Sequence, residues 1–209
     1  MNIKPLFIVI EGGEGAGKTT LRDAIKKVLG DSVVITREPG GSPYAEAIRE
    51  VMLGHNLAKT ADAKTMLCLM FAARFDHVRN TIVPALDQGK HVICDRFDGS
   101  SFAYQLYGQK NPEAKKLFWN LRSNVDRLPD LYIYADVDVE EGLRRVHSRN
   151  KISGKGNHFD DRGIDFHQRL RTGFKAFLKK VPHITIDANQ AREKVVEDFL
   201  REFKAFQAK

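Results

Sequence analysis

The stretch that most constrains this chain is Gly12-Gly13-Glu14-Gly15-Ala16-Gly17-Lys18-Thr19, set directly behind the apolar run Leu6–Glu11. It fits G-x-x-x-x-G-K-[ST] at every fixed position. Glycines let the backbone curl until several N–H groups aim at one anion. A helix begun at the loop's end adds its positive dipole terminus. The loop works only between a strand and a helix, so the flanking sequence must supply both. LFIVIE reads as the strand, and Leu21, Ile25, Val28 and Leu29 mark one face of a helix over Thr19–Leu29. Lys18 is then placed to reach the outer phosphates of a nucleotide, and the Thr19 hydroxyl to ligate Mg²⁺. Glu14 is the odd residue. A carboxylate beside bound phosphates is unfavourable unless it faces something else, such as a sugar hydroxyl or a metal. It points to a second ligand beside the loop.

Four further apolar runs follow at wide intervals: Ser32–Glu38, His91–Phe97, Asp130–Val137 and His183–Ala188. Each is short, rich in Val and Ile and apolar nearly throughout, the pattern of strands buried on both faces. Helix-period segments lie between them, at Ala61–Leu86, Glu140–Ser148, Asp165–Lys179 and Arg192–Ala208. Strands alternating with helices predict an α/β fold, a three-layer sandwich around a five-stranded parallel sheet. With 209 residues the chain suits a single domain, 1–209. Lys151–Gly163 is the one clearly loop-like insertion, polar and glycine-rich. No apolar stretch is long enough to span a membrane. Cys68 and Cys94 sit in apolar segments without metal-ligand spacing and read as buried, reduced thiols of a cytoplasmic protein. The net charge of +7 suits polyanionic ligands. No aromatic-basic interleaving marks a nucleic-acid track, so small nucleotides are the expected partners.

Three clusters supply a second phosphate seat. TREPGGSPYAEAIRE (Thr36–Glu50) follows the second strand and carries Arg37, Glu38 and Arg49. MFAARFDHVR places Phe71 and Arg74 three apart, on one helix face. DRFDGSSFAYQ (Asp95–Gln105) follows the third strand with an acid, an arginine, two serines, a tyrosine and an amide. In an open parallel sheet the strand C-terminal ends share one edge, where ligands bind. Lys18, Arg49, Arg74, Asp95 and Arg96 are therefore expected to converge.

The order GGEGAGKTT, TREPGG…AIR, AARFDH, PAL..GKHVICDRF..SSFAYQ, PDLYIYADVD and IDANQ resembles the thymidylate kinases of the bacterial-type branch, P-loop NTPases. The resemblance runs from about Ile8 to Gln190, and TREPGG and DRF..SS.AYQ carry more of it than the phosphate loop. It implies phosphorylation of dTMP by ATP with Mg²⁺, and a homodimer. Gly12, Gly13, Glu14, Gly15, Ala16, Gly17, Lys18, Thr19 and Thr20 would form the ATP site, with Thr19 and Asp95 at the metal. Arg49 and Arg96 would grip the dTMP phosphate, and Glu14 would lie near the sugar 3′-hydroxyl. Arg74 would bond the thymine O4 and Ser101 the base edge. Tyr104 would sit under the sugar, where a ribose 2′-hydroxyl would clash. Glu38, Phe71, Ser100 and Gln105 would complete the dTMP site. Lys18, Asp95, Arg96 and Arg162 would be catalytic. The resemblance also puts the dimer contact on the helix containing Met66–Val78, which is apolar on more than one side.

Two departures stand out. The family's stacking aromatic lies four residues before the arginine equivalent to Arg74. Here that position is Met70, and Phe71 lies only three before. Either one floors the base pocket, and a 5-modified pyrimidine substrate stays open. The lid position, about residues 149–163, is longer and more glycine-rich than the family's. Gly15 and Ala16 leave the phosphate loop without a side-chain cation. Arg149, Lys151, Lys155 and Arg162 are the lid candidates to supply one. The rival readings are a kinase for another nucleoside monophosphate or a P-loop ATPase or switch. Against the latter, the chain has no N-K-x-D-type guanine motif.

Overall fold

The computed structural model describes residues 4–153 and 162–208. Five parallel strands form one sheet in the order β2-β3-β1-β4-β5: β1 (Phe7–Gly12), β2 (Val33–Arg37), β3 (His91–Asp95), β4 (Leu131–Asp136) and β5 (His183–Asp187). Every sequence-predicted strand is present. Register is continuous from Phe7↔Val92 to Ile10↔Asp95 and from Ile8↔Leu131 to Gly12↔Ala135. The central strands β1, β3 and β4 are buried nearly throughout, but β2 and β5 are not. Both lie at the sheet edges, where one neighbour is missing, so Ile35 is left exposed despite its apolar run.

Side chains alternate across the sheet and build two cores. Ile8, Ile10, Ile93 and Ile133 face one layer, packed by Leu21 and Ile25 of α1 (Lys18–Leu29) and by Val195, Phe199 and Phe203 of α9 (Arg192–Gln207). Val28, expected on the buried face of α1, is exposed, and Ala24 takes its place. Phe7, Val9, Cys94, Tyr132 and Tyr134 face the other layer, an aromatic core. It is closed by α3 (Ala63–His77), α6 (Lys115–Arg122), α8 (Ile164–Leu178) and the wide helical turns of Phe102–Gly108. The Phe118 ring meets Phe71, Phe102 and Phe177 edge to face, with centroids 5.1 to 6.2 Å apart.

The segment Ala61–Leu86 resolves into α3, a π-helical turn at Val78–Ile82 and α4 (Val83–Asp87). Asp62 caps α3 by accepting from the backbone N–H of Lys64 and Thr65. The described residues also form α2 (Pro43–Gly54), α5 (Asp98–Ser101) and α7 (Val139–Ser153). Lys151, expected in a loop, continues α7. Cys94 is buried as expected, but Cys68 lies exposed on α3, and both are free thiols. Among the described residues, no helix is long and apolar enough to cross a membrane.

Candidate active site

Strand β1 ends at Gly12, and α1 starts at Lys18 behind Gly17, so the glycine loop hangs over the C-terminal edge of the sheet. Gly15 and Gly17 take φ of 70° and 77°, the left-handed region that glycine adopts without strain. At Gly15 space is equally decisive, because an added Cβ would run into the backbone of Gly142 on α7. The Lys18 ammonium bends back to the loop, 3.1 Å from the Gly13 carbonyl oxygen and 3.4 Å from that of Gly12. Burial and the nearby Arg96 lower its pKa. Thr19 is exposed at the start of α1, and Asp95 ends β3 with its Oδ1 buried and unpartnered among the described residues. A hydroxyl and a free carboxylate oxygen are hard donors of the kind Mg²⁺ takes. The described residues hold no cluster of three or more acidic, histidine or cysteine side chains suited to a metal. Two protein oxygens nevertheless fit a metal that fills its shell with phosphate and water.

Beside the loop lies a cavity of about 230 Å³. Arg49, Arg74, Asp95 and Arg96 meet there as expected, joined by Glu14, Glu38, Ser100, Ser101 and Tyr104. Lys18 stays on the loop side. Arg37, Pro39, Leu53 and Phe97 also line the cavity. Sequence reasoning did not assign these four to the site. Arg37 ends β2, Pro39 turns the chain behind it, Leu53 comes from α2 and Phe97 follows β3.

Arg96 has φ of 67°, unusual for a residue with a Cβ. Its N–H donates to the Ile10 carbonyl at 2.9 Å, and its own carbonyl accepts from the Cys94 thiol at 3.0 Å. The guanidinium then reaches the Gly12 carbonyl (3.0 Å), Ser100 Oγ (3.3 Å) and Glu14 Oε1 (3.0 Å). Tyr104 donates to the same Glu14 oxygen at 2.7 Å. Burial alone would raise the Glu14 pKa, but Arg96, Lys18 and Tyr104 hold it at about 2. Burial likewise opposes charge on Arg96, yet Tyr104, Glu14 and Asp95 raise its pKa. Glu11 sits below this set with no exposed surface. It accepts from Phe97 N–H, Ser100 N–H and the Ser100 hydroxyl, at 3.0, 2.9 and 2.6 Å. Burial pushes its pKa up to about 7, against the Ser100 bond and the Arg96 charge.

Arg74 closes the far end of the cavity. Its Nε donates to Glu38 Oε2 at 2.8 Å and its Nη2 to Ser101 Oγ at 3.0 Å. Phe71 and Phe97 cover the guanidinium at 4.5 and 4.7 Å from the ring centroids. The third nitrogen, Nη1, is buried with no hydrogen-bond partner among the described residues. An unpaired donor in a cavity calls for an acceptor from a ligand. Phe71, one of two candidates for the pocket floor, does not line the cavity. It is fully buried among Phe75 and Phe118, and Met70 faces the cavity instead. The phase of α3 turns position 70 toward the site and position 71 into the aromatic core. Gln105 is buried and likewise absent from the lining.

On the other side of the loop a cleft of about 410 Å³ lies between Gly15–Gly17, α7 and the turn after β5. Arg144, Arg145, Gln190 and Arg192 line it. Arg145 donates to the Ala188 carbonyl at 2.9 Å and pairs with Glu141 at 2.7 Å. Sequence reasoning assigned none of these to the site, although IDANQ stood among the motifs of the resemblance. Of the lid cations, Arg149 and Lys151 are exposed on α7, and Lys155 lies outside the described residues. Arg162 is exposed, lies over the Phe166 ring at 5.6 Å and lines neither cavity.

The thymidylate kinase family model matches residues 10–199. A thymidylate kinase of Bacillus velezensis is 41% identical over 201 residues, covering 94% of this chain and 93% of the relative. One of Halalkalibacterium halodurans is 41% identical over 206 residues, covering 96% and 97%. A crystal structure of thymidylate kinase from Ehrlichia chaffeensis superposes with a TM-score of 0.69 at 31% identity, covering 98% and 99% of the two chains.

Proposed function

This chain belongs to the thymidylate kinase family, and we propose that it moves the γ-phosphoryl group of ATP onto the phosphate of dTMP, giving dTDP and ADP. One observation carries the assignment. A phosphate loop with an internal carboxylate shares its edge with a cavity whose far end presents one arginine nitrogen, Arg74 Nη1, without a partner among the described residues. A donor-only group there suits the carbonyl O4 of a thymine and not the amino group of a cytosine.

The reaction needs two phosphates held in line and the developing charge offset. The backbone N–H groups of Gly13–Thr19 hold the donor phosphates, and Lys18 swings from the loop carbonyls onto the outer ones. Arg49, whose Nη1 is fixed by the Pro39 carbonyl at 2.7 Å, grips the acceptor phosphate. Arg96 stands between loop and cavity and meets the transferring group from the acceptor side. Glu14, kept ionised, accepts from the sugar 3′-hydroxyl, and Tyr104 closes the space a 2′-hydroxyl would need. Bound Mg²⁺, held by Thr19 and Asp95, would offset phosphate charge during transfer. The donor base enters the cleft by Arg144 and Gln190. A cation from the lid, Arg162 among the candidates, completes the charge when the site closes.

A coupled assay over a panel of nucleoside monophosphates tests this reading. We expect turnover with dTMP, weaker turnover with dUMP, and little with dCMP or AMP. Turnover of AMP or CMP without turnover of dTMP would sink it. Two finer expectations belong with it. The chain works as a cytoplasmic enzyme, and it pairs through α3, whose outer side carries exposed Cys68 and Ala72 and half-buried Leu69 and Phe75.

A further inference from the structure

Behind Arg74 a chain of side chains runs from Glu38, on the cavity wall, through buried His77 to Thr36. Glu38 Oε2 accepts from Arg74 Nε, and Glu38 Oε1 lies 3.0 Å from His77 Nδ1. His77 Nε2 lies 2.8 Å from Thr36 Oγ1. His77 has no exposed surface, and Glu38 has almost none. We propose that His77 is a positioning residue for the choice of acceptor base, setting Arg74 through Glu38. The proposal rests on dTMP being the acceptor.

The bonds assign the ring's protons. Glu38 is ionised against Arg74, so it only accepts, and His77 Nδ1 must carry a hydrogen. The Glu38–Arg74 pair sums to zero charge. A carboxylate oxygen beside one ring nitrogen and a hydroxyl able to donate beside the other fit a ring that donates from Nδ1 and accepts at Nε2. Nε2 is therefore bare and accepts from the Thr36 hydroxyl. Each of Glu38's two oxygens is then used in a fixed direction. That leaves Arg74 no freedom to turn its Nε away. Ser101 and the two phenylalanine rings hold the rest of the guanidinium, and Nη1 is aimed into the cavity as a pure donor. Remove the Nδ1–H, and the Glu38 carboxylate can rotate about its own axis and carry Arg74 with it. The attraction between the charges survives, but the aim is lost, and with it the discrimination between a carbonyl and an amino group at the base edge.

The site around His77 leaves little room for other arrangements. An added Cβ on Gly41 would run into the His77 ring and the Thr36 hydroxyl. Thr81 Oγ1 donates to the Gly41 carbonyl at 2.8 Å and closes the turn over the ring.

Two substitutions separate positioning from packing. His77→Asn puts an amide N–H where Nδ1 stood and keeps the donor to Glu38. His77→Gln puts its amide where Nε2 stood and loses that donor. Steady-state kinetics on the full chain with dTMP and dCMP supply the readout. For H77Q we expect roughly tenfold higher KM for dTMP, a kcat within about twofold of the parent, and a roughly tenfold smaller dTMP-over-dCMP ratio of kcat/KM. H77N should keep the parent ratio. Equal losses in both variants, or none in either, would overturn the proposal. Failure of the parent itself to use dTMP would instead overturn the substrate reading. Nitrogen-15 NMR of the histidine rings in the parent protein needs no variant to fold. A protonated Nδ1 with a bare Nε2 on His77 supports the proposal, and a protonated Nε2 refutes it.

Discussion

Two glutamates three residues apart carry opposite pKa shifts, because charged partners outweigh burial at Glu14 and not at Glu11. Glu14 faces Arg96, Lys18 and Tyr104 and stays ionised, with a pKa of about 2. Glu11 accepts mainly from neutral N–H and O–H groups in a fully enclosed position, so burial dominates and its pKa rises to about 7. A raised folded-state pKa means the native state binds the proton more tightly than the unfolded chain. The stability Glu11 contributes is therefore full below about pH 4.5 and is lost as the pH climbs through 7, by up to about 3 kcal/mol. Glu11→Gln keeps an acceptor for the two N–H groups and removes the proton. Urea denaturation at pH 5.5 and pH 8 should show the parent losing stability across this interval by more than the variant loses. Equal slopes would refute it. Arg96 makes a second prediction. Its guanidinium spans three acceptors on two elements, a span one ammonium cannot cover. Arg96→Lys should lower kcat about a hundredfold or more while urea denaturation stays near the parent's. At this scale the need for a partner at Glu14 was legible, because an acid inside a phosphate loop demands one, but that Arg96 and Tyr104 supply it was not. The choice between Met70 and Phe71 was not. Both are apolar, and only the packing of α3 against Phe118 decides which one turns inward.

Elements meet at this site through close backbone approaches. The phosphate loop rests on α7 where Gly15 faces Gly142, and a Cβ on Gly142 would meet the Glu14 carbonyl oxygen at 2.5 Å. Gly142→Ala should push α7 and the loop apart. We expect a loss of about 1–3 kcal/mol in denaturation and a higher KM for ATP, with the KM for dTMP less affected. A variant matching the parent in stability and in KM for ATP would show that the contact yields freely. Strand and helix positions were legible at this scale because apolar periodicity is local. Burial on both faces was not legible for β2 and β5, since being an edge strand depends on sheet order. Nor did the sequence show that α7 runs on to Ser153. Its last turn is polar and ends in Lys-Ile-Ser, which carries no strong helix signal.

The whole molecule turns five local runs into one working edge. In the order β2-β3-β1-β4-β5, β1 lies between β3 and β4, so the phosphate loop after β1 sits beside Asp95–Tyr104 after β3. The turn after β2 comes next, held where the Glu38 N–H donates to the Asp95 carbonyl at 3.0 Å. The outer side of α3 is the remaining large-scale feature. Pairing there predicts sedimentation at about twice the 23.7 kDa chain mass for the parent. Ala72→Arg, at an exposed position outside the aromatic core, should shift it to a single chain without unfolding it. A parent that sediments as one chain would end the proposal.

By itself, the sequence determined which local pieces this protein has. A glycine loop between a strand and a helix, five strands, most of the helices and three charged clusters each follow from residue type and spacing, which act over a few neighbours. The tertiary structure decided what those pieces face. Met70 rather than Phe71 on the cavity, the second cleft at Arg144 and Gln190, the exposed Cys68 and the line from Thr36 through His77 and Glu38 to Arg74 all depend on residues far apart in the chain. Contacts of that kind come from sheet order and helix phase, which are set when apolar surface is buried jointly and not one segment at a time.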